Sequence, residues 1–282
     1  MPPLVKLRSE RNQMSAIERR IADFILDNAQ LLRDYSSQQL ASALGVSQSS
    51  VVKFSQKFGF KGYPDLKYNI GQALARNGGN DAAPGMATDA DDDYLRLEAG
   101  LRQSKAGAEE ETRLLNPRAQ VEAIVGLVDG AGKVFVCGLG DDGLFAREFA
   151  MRLSLLDVLV VHHSDPILMM ANLSATRPDD VLLVFSEFGQ LPVLCQLSRQ
   201  FQACQGKVVS ITRHTANPLR AHADAALVIS AHDPAAHIEQ LLYRSSLQYL
   251  LDFLFVLLCR ANPERHRQLG INLERIQHLL DA

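Results

Sequence analysis

The chain has 282 residues, 47% of them hydrophobic and 22% charged, which excludes a disordered or fibrous protein and is enough for two buried cores. Its formal net charge of −3 argues at first against a polyanionic partner. The charge is unevenly placed, however: residues 1–77 carry 11 basic and 6 acidic side chains, the remainder 18 and 26, so a phosphate-facing surface belongs at the N-terminal end.

Ser15 and Glu18 have the spacing of a capping box, and Ile17, Ile21, Phe24 and Ile25 recur at helical intervals, so a supporting helix is predicted there. The stretch Ser37–Phe58 then has the pattern of a helix, a tight turn and a second helix built to enter DNA. With Ser37 as the first position, Ala41 falls at the fifth, Gly45 at the ninth, Val51 at the fifteenth and Phe54 at the eighteenth. Those are the small helix contact, the turn and the two apolar plugs of a helix-turn-helix. Leu40 and Leu44 extend the stripe of the first helix, and Val46, Val51, Phe54 and Phe58 line the inner side of the second. Ser36 with Gln39, and Ser47, supply N-caps, while Gly59 followed by Phe60 supplies a left-handed stop. Gln48, Ser49, Ser50, Lys53, Gln56 and Lys57 are left facing outward, polar and basic, with no acid among them. The chain then turns through Gly62 and restarts a helix at Pro64, bringing Lys61 and Lys67 near the turn.

With these features residues 1–77 resemble the N-terminal domain of the RpiR family of bacterial transcriptional regulators. The resemblance rests on Ser47–Lys67: a serine-led recognition helix, the turn Phe58-Gly59-Phe60, then Lys61-Gly62-Tyr63, and Lys67 in the next helix. It implies double-stranded operator DNA as the partner. Gln48, Ser49 and Lys53 are expected near base edges, Ser47, Lys57, Lys61 and Lys67 toward phosphates, and Ser50 on the same surface. Ser50 and Lys53 stand where the family usually has threonine and arginine. Lysine lacks the rigid planar fork with which arginine reads guanine, so a relative's operator is not expected to transfer. Because helix-turn-helix proteins read paired half-sites, at least a homodimer is expected.

Residues 78–93, rich in Gly, Ala and Asp, read as a flexible linker. A helix is predicted over Tyr94–Leu115, stopped by Asn116-Pro117, and another from there to Val128. From Lys133 the rhythm changes, with apolar runs at Val134–Cys137, Val158–Val161, Val181–Phe185, Val208–Ile211 and Ala225–Ile229 alternating with helical stretches. Such runs belong to a parallel sheet buried on both faces. The fold expected is thus an all-α helix-turn-helix domain (1–77) followed by an α/β domain (94–282) with a parallel, flavodoxin-like five-stranded sheet. Ligands of such sheets sit outside the carboxyl ends of the strands where strand order reverses, at the loops after the first and third strands.

The first of those loops holds Gly138, Gly140 and Gly143 in the spacing G-x-G-x-x-G. A dinucleotide also needs an acid at the end of the second strand to hold its ribose, and His162 and His163 stand there instead, so no nucleotide cofactor is expected. The segments GLGDDG, VLLVFSEFG and VVSITRHTANPL make residues 120–260 similar to a sugar isomerase (SIS) domain, the usual C-terminal partner in RpiR-family regulators. In such domains the first loop is normally Gly-x-Gly-x-Ser and the second Ser-x-Ser-Gly-x-Thr, their hydroxyls and amides holding a sugar phosphate. This chain keeps Gly138, Gly140, Ser186 and Gly189 but has Asp142, Phe188 and Leu191 at the hydroxyl positions. The resemblance implies a small-molecule effector site at Gly138, Gly140, Asp142, Ser186, Glu187 and Gly189, with Arg213 and His214 reaching the same mouth. A carboxylate about 4 Å from a phosphate costs roughly 4 kcal/mol at an effective dielectric of about 20. A phosphosugar held in the family's usual manner is therefore not expected.

The function expected is a ligand-responsive DNA-binding regulator of a sugar or related carbon-source pathway, not an enzyme. The competing reading, an SIS-type sugar-phosphate isomerase with a helical appendage, needs a positioned acid/base pair, for which His237 and Glu239 are the candidates. The helix they open, Glu239–Arg260, has large apolar residues on nearly every side, as a core helix or a subunit contact requires. Cys137, Cys195, Cys204 and Cys259 are widely spaced without a Cys-x-x-Cys, so neither a metal site nor a disulfide framework is expected. No segment reads as a signal peptide, and the longest apolar run, Phe253–Cys259, is too short for a bilayer, so a cytoplasmic location is expected.

Overall fold

The computed structural model describes residues 3–29, 32, 35–77, 91–231 and 238–281. Two compact units divide the chain, residues 1–97 and 98–282. In the first, helices α1 (Pro3–Glu10), α2 (Ala16–Asp27), α3 (Ser37–Leu44), α4 (Gln48–Lys57) and α5 (Tyr63–Asn77) have boundaries set by local chemistry. Ser15 and Ser36 form reciprocal capping boxes with Glu18 and Gln39, and Ser47 accepts from the Ser50 amide. Gly45 and Gly59 adopt φ of 60° and 84° after α3 and α4. There the Val46 amide reaches back to the Ala41 carbonyl (2.9 Å) and the Phe60 amide to that of Ser55 (3.1 Å), the closure that a left-handed residue permits. Leu7, Ile21, Ile25, Leu40, Val51, Phe54, Phe58, Leu66 and Ile70 form one core. Ile17, placed on the α2 stripe by its spacing, is 48% exposed. Periodicity fixes a residue's face, but not how far along the helix its neighbours extend.

The second unit is built on five parallel strands, β1 (Val134–Gly138), β2 (Val160–His162), β3 (Val181–Phe185), β4 (Lys207–Arg213) and β5 (Ala225–Ile229), in the order β2-β1-β3-β4-β5. Strand order reverses between β1 and β3, where Val134 lies beside Val181 and Gly138 beside Phe185. The remaining helices are α6 (Asp91–Leu115), α7 (Arg118–Asp129), α8 (Asp141–Leu155), α9 (Pro166–Asn172), α10 (Pro192–Ala203), α11 (Pro218–His222), α12 (Glu239–Ala261) and α13 (Pro263–Leu280). Alternate strand residues serve opposite layers: Val134, Val136, Leu183 and Ile211 pack with α7, α8 and α12, whereas Phe135, Cys137, Leu182 and Val184 pack with α9 and α10.

Several boundaries differ from those predicted. Of the expected linker, residues 78–90 lie outside the described residues, and Asp91–Asp93 form the first turn of α6. Val158 belongs to a helix stop, not to a strand: Asp157 is left-handed at φ 61° and the Val158 amide bonds the Leu153 carbonyl (3.1 Å), so β2 begins two residues later. Helix α13 has no predicted counterpart because none of its residues is fully buried and it carries no core stripe. It is tied down by Arg265, which pairs with Asp129, and by Asn272, which donates to the Leu155 carbonyl (3.0 Å). Helix α12, at 23 residues, is long and apolar enough by length and composition to cross a bilayer, which run length alone did not reveal. Leu242, Leu247, Leu250, Leu251 and Leu254 are buried with the sheet, so it is the core helix of this unit.

The outer edge of β5 is closed by side chains instead of a strand. Asn116 Nδ2 donates to the Val228 carbonyl (2.7 Å) while its Oδ1 accepts from the Val228 amide (2.9 Å), and Thr112 Oγ1 accepts from the Ser230 amide (2.9 Å). The junction of α6 and α7 thereby satisfies backbone groups that would otherwise invite another chain.

Candidate functional site

Two surfaces collect the residues singled out by the sequence. On the first, Ser47 stands at the N-terminus of α4, its hydroxyl accepting from the Ser50 amide (3.1 Å) and bonding the hydroxyls of Ser49 and Ser50, each at 2.8 Å. Gln48 donates through Nε2 to Ser37 Oγ (2.9 Å), joining the starts of the two helices. Lys53 is exposed and, among the described residues, makes no hydrogen bond or ion pair. Lys61 is also exposed, and its amide donates to Asp65 (2.8 Å). Lys67 is partly buried, its ammonium donating to the Tyr35 carbonyl (3.1 Å) beside the Tyr63 hydroxyl. Lys57 Nζ lies 2.7 Å from Glu18 Oε1, and this hydrogen bond holds the Glu18 carboxyl below the usual range. Glu18 therefore brings an acid to a surface that the sequence read as free of one. Its role as a capping residue was legible, whereas its second oxygen's partner, 39 residues away, was not.

The second surface is the crevice between the carboxyl ends of β1 and β3. Gly138 ends β1 where a Cβ would lie 2.6 Å from the Asp142 carbonyl oxygen, and Gly140 opens α8 at φ 61°. The glycine spacing is thus explained by close strand-to-helix packing. Asp142 Oδ2 accepts from the Glu187 amide (2.7 Å) and Oδ1 from the Tyr243 hydroxyl (2.8 Å). Burial pushes the Asp142 carboxyl up, against the lowering effect of those two bonds, and Asp141 adds to the rise. Asp141 itself accepts from Gln240 (2.9 Å). Burial also pushes Glu187 up, reinforced by Asp142, Glu239 and Asp141 and opposed by Arg213.

Arg213 lies 3.7 Å from Glu187 and 3.1 Å from Glu239, donates to the Ala231 carbonyl (2.7 Å), and sits 5.6 Å from the centre of the Phe188 ring. Ser186 is buried, and its carbonyl accepts from the Gly189 amide (3.1 Å). Gly189 has φ 61°, and a Cβ there would lie 2.1 Å from Asn217 Oδ1. Phe188 and Leu191 remain largely exposed and offer no side-chain donor. His214 lies beside Arg220, and burial with that charge pushes its pKa down to about 4.

The structure thus brings together Gly138, Gly140, Asp142, Ser186, Glu187, Gly189 and Arg213. Tyr243 and Gln240, which the sequence did not single out, join them from the first turns of α12. Among the described residues no group of three His, Cys, Asp or Glu side chains is placed to hold a metal.

Comparison with known proteins agrees at the level of domains and of the whole chain. A family model described as the helix-turn-helix domain of the rpiR family matches residues 1–77, and one for the SIS domain matches residues 128–257. The chain is 31% identical over 279 residues to the Uncharacterized HTH-type transcriptional regulator YfhH of Escherichia coli K12, covering 99% of this chain and 97% of that one. Its fold is similar to that of the Vibrio vulnificus NanR protein complexed with ManNAc-6P, with a TM-score of 0.59, 22% identity and 98% of both chains covered. It is also similar to the sugar isomerase domain of an RpiR transcription factor from Sphaerobacter thermophilus, with a TM-score of 0.56, 18% identity, and 64% of this chain and 99% of that one covered. With the recognition-helix surface, the parallel sheet and a relative matched from end to end, the chain belongs to the RpiR family of helix-turn-helix transcriptional regulators, with an SIS domain at its C-terminal end.

Proposed function

We propose that residues 1–77 bind operator DNA and that residues 94–282 bind a sugar-derived effector that alters this binding, in a regulator of a sugar or related carbon-source pathway. The observation that carries this reading is the outward side of α4, where Gln48, Ser49 and Lys53 lie exposed next to the Ser47 cap. That N-terminal half faces the groove floor in helix-turn-helix complexes, and its partial positive charge and the exposed Lys53 ammonium suit DNA. Lys57 and Lys61 approach the phosphates, Lys57 by exchanging Glu18 for the backbone. NanR's complex with ManNAc-6P supports a sugar-derived effector; its proposed site in this chain is Gly138, Gly140, Asp142, Ser186, Glu187 and Gly189, with Arg213 and His214 at the mouth. Exposed Leu144 and Met151 on α8 and Phe253 and Val256 on α12 support a homodimer, as paired half-sites require.

The isomerase reading has less to support it. Glu239 is engaged by Arg213, and His237 lies outside the described residues. Selection of bound sequences from a random DNA pool, followed by fluorescence anisotropy, tests the regulator reading. Lys53→Ala should lose about 1–3 kcal/mol on the selected site and relax sequence choice. Unchanged binding by that variant to operator and random DNA would show the assigned surface to be wrong. Turnover of ketose or aldose phosphates by the purified protein would favour the isomerase.

A further inference from the structure

We infer that Asp142 is a tethered anion that sets the specificity of the effector site, excluding phosphorylated ligands in favour of an unphosphorylated sugar; this rests on the effector reading above. Two donors from different elements, the Glu187 amide after β3 and the Tyr243 hydroxyl on α12, converge on one point beside the N-terminus of α8. Such a convergence of an amide, a hydroxyl and a helix start is what an anionic oxygen seeks. Here the chain supplies that oxygen pair itself, and Tyr243 is only 2% exposed, so its hydroxyl has no second outlet to solvent.

Nor does the surrounding charge compensate for a second anion placed beside Asp142. Asp141, Glu187 and Glu239 all lie close enough to act on this network, and the Arg213 guanidinium is already shared between Glu187, Glu239 and the Ala231 carbonyl. A phosphate would have to displace Asp142 from both donors and then remain beside it. An unphosphorylated sugar needs neither step: its hydroxyls can donate to the carboxylates and accept from the guanidinium.

The test is isothermal titration of the full chain and of D142S with inorganic phosphate, a hexose 6-phosphate and its unphosphorylated parent. Removing the carboxylate frees both donors and removes the repulsion, so D142S should bind phosphate on the order of a hundredfold more tightly than wild type. The double variant D142S/Y243F should lose most of that gain, because one freed donor is gone, and D142N should gain less than D142S, because its amide still fills the place. Circular dichroism and melting temperature establish that each variant is folded. A hexose phosphate bound by wild type at micromolar affinity and no more tightly by D142S overturns the inference. So does a folded D142S that takes up no phosphate at all. Operator affinity measured without ligand on the same preparations separates the two readings, since its absence in wild type counts against the regulator and leaves the phosphate comparison intact.

Discussion

Glu18 illustrates how one carboxylate serves two purposes beside α4. Oε2 accepts from the Ser15 amide (2.8 Å) to complete the α2 capping box, and Oε1 pairs with Lys57 at 2.7 Å. Lys57 is half exposed, so the pair contributes no more than about 1 kcal/mol, and a phosphate can take its place at little cost. Glu18→Gln keeps the acceptor that caps α2 while releasing Lys57. It should tighten DNA of any sequence a few-fold, read as anisotropy at several salt concentrations; an unchanged affinity would show that Lys57 does not meet DNA. His214 offers a test by pH. Its pKa is held near 4 in the folded chain against 6.5 in the unfolded one, so the unfolded chain takes up the proton first on acidification. Its stabilising contribution is complete above pH 6.5 and is lost as pH falls toward 4. Allowing for partial solvent access, the loss should be about 2 kcal/mol. Urea unfolding of wild type and His214→Asn at pH 7 and pH 5 should show this slope in the former and a shallower one in the latter. Asp142 and Glu187, raised mainly by burial, act in the opposite sense: their contribution is full below the ordinary carboxylate range and is lost as pH rises through their folded values.

At the scale of elements, the edge of β5 is covered by Asn116 and Thr112, and Asn116 supplies both a donor and an acceptor to one residue of the strand. Asn116 holds both the amide and the carbonyl of Val228, and it is 5% exposed, so water cannot easily replace it. Asn116→Ala leaves a buried amide and a buried carbonyl unpaired, which should cost about 2–4 kcal/mol by chemical denaturation. A cost below the noise of the measurement would mean that the edge has another partner. Its place was readable in the sequence only as a helix stop before Pro117. The same element boundaries were otherwise legible, because capping boxes at Ser15 and Ser36 and the left-handed glycines at 45 and 59 act through neighbours within a few residues. Helix α13 was not legible, since it docks through Arg265 and Asn272 and buries no stripe.

For the molecule as a whole, paired half-sites and the apolar residues left outward on α8 and α12 lead to the same expectation, a dimer at micromolar concentration. Light scattering should give twice the chain mass, and Val256→Glu, at a side chain 57% exposed, should lower it toward one chain without lowering the melting temperature of the fold. A wild-type monomer would sink the proposal, and operator DNA would then have to be read by one recognition helix. Helix α12 shows why composition could not separate these roles. Its apolar residues lie on most sides, and only the packed sheet decides that Leu247 and Leu251 are core while Phe253 and Val256 are left at the surface.

By itself the sequence determined most of the helices and strands, the two-part architecture and the helix-turn-helix pattern, because helix periods, caps, turns and apolar runs depend on residues close along the chain. It also showed Asp142, Phe188 and Leu191 at three positions that are hydroxyls in similar SIS domains, with Ser186 kept. Only the tertiary structure decided where Asp142 goes: its carboxylate meets an amide 45 residues on and a hydroxyl 101 residues on. No local pattern specifies those partners, since they meet only after β1 and β3 pair and α12 packs beside α8. The physical character of this crevice therefore follows from packing, whereas its glycine-bearing loops were legible in the sequence.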